Sequence, residues 1–165
     1  MIAALGRAGA LLALSLLASG CANFSAISLG DSALTVEARV GAPGTVWKSA
    51  DGSEVWEYPM GPAGAQTFMI DVGTDHAVQA VRQVLREEYF SKVVAGMSRD
   101  DVRRLLGRPK EVWYFPSRDE EVWVWRYLEI NYRFFNVLFD RTAGTVRTTL
   151  RLDEVFLPGG GRGKR

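Results

Sequence analysis

Gly96-Met97-Ser98-Arg99-Asp100-Asp101-Val102-Arg103-Arg104-Leu105-Leu106-Gly107-Arg108-Pro109 contains a start signal, a stripe and a stop signal for one short helix. Ser98 is a natural N-cap, because its hydroxyl can take a backbone N–H that the first turn leaves unpaired. Asp100 and Asp101 follow in that turn, where negative charge complements the helix dipole. Val102, Leu105 and Leu106 lie on one face, and Arg99, Arg103 and Arg104 lie off it. Gly107 permits a left-handed exit and Pro109 forbids continuation.

The same pattern occurs 66 residues earlier. Gly30, Ser32, Val36, Gly41, Pro43, Val46, Trp47 and Glu54 fall on Gly96, Ser98, Val102, Gly107, Pro109, Val112, Trp113 and Glu120, eight identities in 25 positions. Average residue usage predicts about one or two by chance. Beyond this stretch short insertions shift the match, pairing Trp56-x-Tyr58 with Trp125-x-Tyr127 and Asp71 with Asp140. A tandem repeat of this kind constrains architecture more than any local propensity.

Strands follow each helix signal. Alternation and turn residues predict strands at 45–48, 54–58, 66–71 and 76–84, and again at 111–115, 121–128, 132–139 and 145–152. A further helix is predicted over 86–94. The expected class is therefore α+β, with two tandem units of a helix followed by an antiparallel meander. The expected organisation is a signal peptide over 1–20, a tether over 21–29, a degenerate first unit over 30–84, a second unit over 85–155 and a flexible basic tail over 156–165. Units of about 65 residues are marginal alone, so the two are expected to pack together.

The N-terminus reads as an address. Arg7 precedes an apolar run from Ala8 to Leu17 that is shorter than the roughly 20 residues needed to span a bilayer. It ends in Leu17-Ala18-Ser19-Gly20-Cys21. Small residues before a lone Cys resemble the bacterial lipobox, which implies cleavage before Cys21 and acylation of that residue. Ala22 after the Cys resembles the outer-membrane sorting signal of proteobacteria. Acyl chains hold firmly, because each buried methylene contributes about 0.8 kcal/mol.

Composition narrows the remaining choices. The 165 residues are 47% hydrophobic and 24% charged, with 20 Lys and Arg against 19 Asp and Glu. That near-balance gives no field favouring nucleic acid. One Cys excludes an internal disulfide framework, and one His excludes a His-rich metal site. His76 lies beside the turn Gly73-Thr74-Asp75 and has no nucleophile motif around it. Asp119-Glu120-Glu121 follows Pro116-Ser117-Arg118 and reads as a solvated turn entering a strand. The reading is of a non-enzyme with no catalytic residue, no metal and no cofactor. Trp123, Trp125 and Tyr127 share one face of a predicted strand, with Val122, Val124 and Leu128 on the other. That aromatic stripe is either core beneath the helices or an exposed partner face, because Trp and Tyr dominate interface hot spots. The tail Gly159-Gly160-Gly161-Arg162-Gly163-Lys164-Arg165 reads as a flexible terminus or a tether to anionic surfaces.

From Leu85 to Leu152, the string Gly96-Met97-Ser98, Val102, Leu106, Gly107 and Pro109, followed by a Trp/Tyr strand, resembles the SmpA/OmlA (BamE-like) family of outer-membrane lipoproteins. Gly41 and Pro43 carry the degenerate copy. Two such units also resemble the tandem β-lactamase inhibitor protein fold. The resemblance gives these motif residues structural roles. It implies a lipid-anchored protein on the periplasmic face of the outer membrane that binds an envelope protein, with the β-barrel assembly machinery as a candidate partner. The alternatives are an inhibitor-like module on an envelope enzyme and a small-ligand or lipid carrier.

Overall fold

A computed structural model describes residues 23–61 and 64–154. Cys21, the signal segment and the tail 156–165 lie outside the described residues. Helix α1 (Ala33–Val40) is followed by strands β1 (Thr45–Lys48), β2 (Glu54–Pro59), β3 (Thr67–Val72) and β4 (Val78–Gln83). Helices α2 (Glu87–Phe90) and α3 (Arg99–Leu106) then precede β5 (Glu111–Phe115), β6 (Glu120–Leu128), β7 (Tyr132–Asp140) and β8 (Thr145–Asp153). The strands form two antiparallel sheets, ordered β1-β2-β3-β4 and β5-β6-β7-β8.

These proportions correct the α+β class and the BamE-like or inhibitor-like units expected from the sequence. Eight strands in two four-stranded sheets dominate the described residues, and no α-helix exceeds eight residues. Capping residues mark a helix's ends equally clearly whether it has two turns or six, so they overstate its share of the fold. The helix predicted over 86–94 shrinks to the single turn Glu87–Phe90. Lys92 N and Val93 N then bond to Tyr89 O and Phe90 O in tighter i→i+3 turns, and the β-branched pair Val93-Val94 gives little support to further helix.

The molecule is layered as α1, first sheet, α3 with α2, second sheet. Val36 of α1 is fully buried with Trp56, Tyr58, Ile70, Val72 and Val78 on one face of the first sheet. The opposite face of that sheet meets α3: Met69 and Val55 join Val102, Leu105 and Leu106 in a second core. That core continues into Trp125, Tyr127, Phe135, Val137 and Phe139 of the second sheet, where α2 adds Phe90, stacked 4.2 Å from the Phe135 ring. Helix α3 thus has sheet on both sides.

The two halves share their hydrogen-bond plan. Ser32 Oγ accepts from Thr35 N at 3.2 Å, and Ser98 Oγ accepts from Asp101 N at 3.2 Å. Gly41 and Gly107 both leave their helices at positive φ, 85° and 77°. Tyr58 Oη donates to Gly41 O, and Trp125 Nε1 donates to Gly107 O. Gly30 N donates to Val78 O and Gly96 N to Val146 O, both at 2.8 Å. A bulge interrupts β3–β4 at Asp71/Val72 and β7–β8 at Leu138/Phe139.

This plan sets the register of the repeat. Val46 pairs with Trp56, and Val112 pairs with Trp123. Trp56 Nε1 donates to Glu54 and Trp123 Nε1 donates to Glu121. Trp56 therefore corresponds to Trp123, Tyr58 to Trp125 and Glu54 to Glu121. The Trp56–Trp125, Tyr58–Tyr127 and Glu54–Glu120 matches read from sequence are corrected accordingly.

Candidate functional site

The aromatic stripe is core. Trp125 is 1% exposed and Tyr127 3%. Trp123 is half-buried, packed on the same cluster with its ring 4.9 Å from Phe139. Trp123, Trp125 and Tyr127 as a partner face are therefore corrected. The stripe turns toward the helices because the Trp125 indole N–H satisfies Gly107 O at the end of α3, 3.3 Å away. Val122 and Val124 take the other face of β6, where Val124 is nonetheless buried.

The structural motif residues sit where chain direction changes. Ser98 forms a reciprocal capping box, with Asp101 Oδ2 accepting from Ser98 N at 3.0 Å. Val102 and Leu106 are fully buried. Gly107 presses against the first sheet: a Cβ there would lie 2.9 Å from Thr67 Cγ2, 3.0 Å from Glu57 Oε1 and 3.1 Å from Met69 Cε. Gly41 has the same backbone but open space around it. Pro43 and Pro109 follow these exits, and Gly96 turns into the Ser98 cap at φ 89°.

The other candidates are structural or scattered. His76 is exposed at φ 58°, and its carbonyl accepts from Ala33 N at 2.9 Å, tying the turn to α1. Asp119, Glu120 and Glu121 point to three different places. Asp119 closes a turn at φ 48° and accepts from Thr142 N, and that hydrogen bonding holds its carboxyl below the usual aspartate range. Glu120 pairs with Arg147 at 3.7 Å. Glu121 is buried and accepts from Arg99 and from Trp123. Among the described residues no group of His, Cys, Asp and Glu is placed to hold a metal, and no helix is long and apolar enough to cross a membrane.

Alternation in the sequence did not single out one residue that organises the inner layers. Glu57 is 1% exposed on β2. Its carboxylate accepts from Arg108 N at 2.6 Å and from Arg103 at 3.4 Å. It is the anchor between the first sheet and the end of α3. Its only sequence signal was that it fills an inward slot between Trp56 and Tyr58, whose side chains take the other face.

The outward face of the second sheet is the principal exposed feature. Register places Trp113, Val122, Leu138 and Thr148 in one row across it, Val124, Asn136 and Leu150 in the next, and Phe134 and Leu152 beyond. Trp113 is 54% exposed, Leu150 48% and Leu152 53%, and Phe115, Leu128 and Tyr132 extend the patch. Charge interrupts it: Glu111 shares the Val124 row, Arg126 shares the Phe134 row and pairs with Glu154 at 2.8 Å, Lys110 Nζ lies 5.3 Å from the Phe134 ring, and Arg147 pairs with Asp140 at 3.1 Å at one end. Exposed apolar side chains gathered on one sheet face are costly in water, because apolar surface gains free energy when it is removed from solvent. A cavity of about 320 Å³ between the halves is lined by Thr67, Arg108, Lys110, Trp125 and Arg126 among others.

No protein-family model matches the chain, and no curated protein matches it. Among solved structures it is similar to an extracellular protein containing an SCP domain from Bacillus anthracis, at 13% identity and a TM-score of 0.31. That alignment covers 93% of this chain and 50% of the other, so the chain spans about half that protein's length. A TM-score at this level carries no argument about fold or function.

Proposed function

We propose that the chain is a non-catalytic protein-binding module, held on the periplasmic face of the outer membrane by acyl chains on Cys21. The observation that carries the binding role is the outward face of the second sheet, where Trp113 on one edge strand and Leu150 and Leu152 on the other stand exposed. The face sets exposed aromatic and aliphatic side chains among Glu111, Lys110 and Arg126, and protein interfaces combine apolar anchors with charged groups. The lipobox at Leu17–Cys21 supports the anchor, and the SmpA/OmlA-like string from Gly96 to Pro109 favours the β-barrel assembly machinery as partner.

Acyl labelling, membrane fractionation and photocrosslinking test this together. Wild-type protein takes the acyl label and sediments with outer membrane, and Cys21→Ser loses both. A photoreactive residue at position 150 crosslinks an envelope protein, and a barrel-assembly component is the expected product. Unlabelled wild-type protein, unchanged fractionation of Cys21→Ser, or a face that crosslinks nothing in intact cells would overturn the corresponding part.

A further inference from the structure

The repeat supplies a template for what lies on the bare face. Trp47, Glu57, Thr67 and Met69 of the first sheet occupy the face that α3 covers. In the register established above they correspond to Trp113, Val124, Phe134 and Asn136. The second sheet therefore presents outward the face that its counterpart presents to a helix.

Chemistry at the equivalent positions says what kind of helix fits. Arg104 and Arg103 stand over the Trp47 ring, 4.9 and 5.8 Å from its centroid. Trp113 keeps the ring without the cation. Glu111 precedes it by two on the same face of β5, and Glu120 sits two residues before its partner Val122 on β6. Both carboxylates already have cations, Lys110 at 3.1 Å from Glu111 and Arg147 at 3.7 Å from Glu120, so a partner's cation gains from the ring face itself. Glu57, which needs Arg103 and Arg108 N, becomes Val124, and Thr67 becomes Phe134. Met69 becomes Asn136, which like Val124 is 7% exposed, and Lys110 stands 5.3 Å from the Phe134 ring, so the apolar area open to a partner is Val122, Leu138 and Leu150.

We infer that the outward face of the second sheet receives an amphipathic α-helix of a partner protein, laid as α3 lies on the first sheet, with its apolar stripe over Val122, Leu138 and Leu150 and a Lys or Arg over Trp113. The inference rests on the protein-binding reading above and specifies the partner's contacting element.

The probe is a phage-displayed library of capped helical peptides of about four turns, randomised on one face and selected against the full-length chain in detergent. Enriched sequences are expected to carry apolar residues at i, i+3, i+4 and i+7 together with a Lys or Arg. Their binding should fall at least about tenfold with Leu150→Asp and with Trp113→Ala, both variants melting as wild type does. Enriched peptides indifferent to both substitutions, or lacking helical spacing, would overturn the inference. So would a concentration-dependent dimer abolished by Leu150→Asp, since a second copy would then cover the face. A crosslinked partner at position 150 that binds through a strand or loop sinks the helix and leaves the binding reading intact. Failure of both selection and crosslinking removes both.

Discussion

Gly41 and Gly107 share a backbone conformation but not an environment. Both have a positive φ with ψ near 180°, a region open essentially to glycine alone. Gly41→Ala is expected to cost on the order of 1–3 kcal/mol through that strain. Gly107→Ala carries the same strain and also drives a methyl into Thr67, Glu57 and Met69, so overpacking adds about 1–3 kcal/mol. Chemical denaturation of the two variants checks the order, and equal losses would contradict the close approach at Gly107. The tryptophans divide in the same way. Trp125→Ala should cost about 3–5 kcal/mol, whereas Trp113→Ala should stay within about 0.5 kcal/mol of wild type, as read by the same denaturation curves. The glycine exits and serine caps were legible in the sequence because they are local. The inward direction of Trp125 was not, because both faces of β6 are apolar and a bond to Gly107, 18 residues away, decides between them.

At the scale of elements, helix α3 depends on its N-terminal box. The Ser98 hydroxyl and backbone hold the Asp101 carboxyl below the ordinary aspartate range. A carboxyl with a lowered folded-state pKa contributes stability above its unfolded value and loses it as pH falls through the folded one. Thermal melts should therefore place Asp101→Asn below wild type at neutral pH, with the gap closing as pH falls below about 4. A gap unchanged at low pH would mean that the box owes nothing to the ionised form. Strand positions were legible to within about two residues, because alternation and turn chemistry are short-range signals. The matching of Trp56-x-Tyr58 to the second half slipped by two. A Trp-x-Trp-x-Tyr ladder offers two registers that place the same kinds of side chain on the same face. Only the pairing with β1 and β5 separates them.

Across the whole molecule, the first sheet and α3 share a core, so the halves should not melt separately. Met69 is fully buried in the cluster that also holds Trp125 and Phe139. Met69→Ala should cost about 2–5 kcal/mol and shift the unfolding of both sheets together. Hydrogen exchange at β3 and β7 amides should report the same destabilisation; a loss confined to the first sheet would refute the shared core. The buried Glu57 reinforces the coupling, since it lies on the first sheet and satisfies Arg108 just beyond α3. Two packed repeats were legible in the sequence. Their stacking order was not, because Arg103 and Arg104, which contact Trp47 of the other half, resemble any solvated helix face.

That order gives the stack a direction. Each repeat supplies its helix on one side of its sheet and leaves the other side for its successor. Lengthening such a chain by another copy would move the uncovered surface without removing it. Whatever the number of copies, the described arrangement would put a helix over the outermost sheet at one end and leave a sheet face open at the other. Among the described residues, the repeat rule alone fixes which sheet face is left open, before any contact residue is chosen.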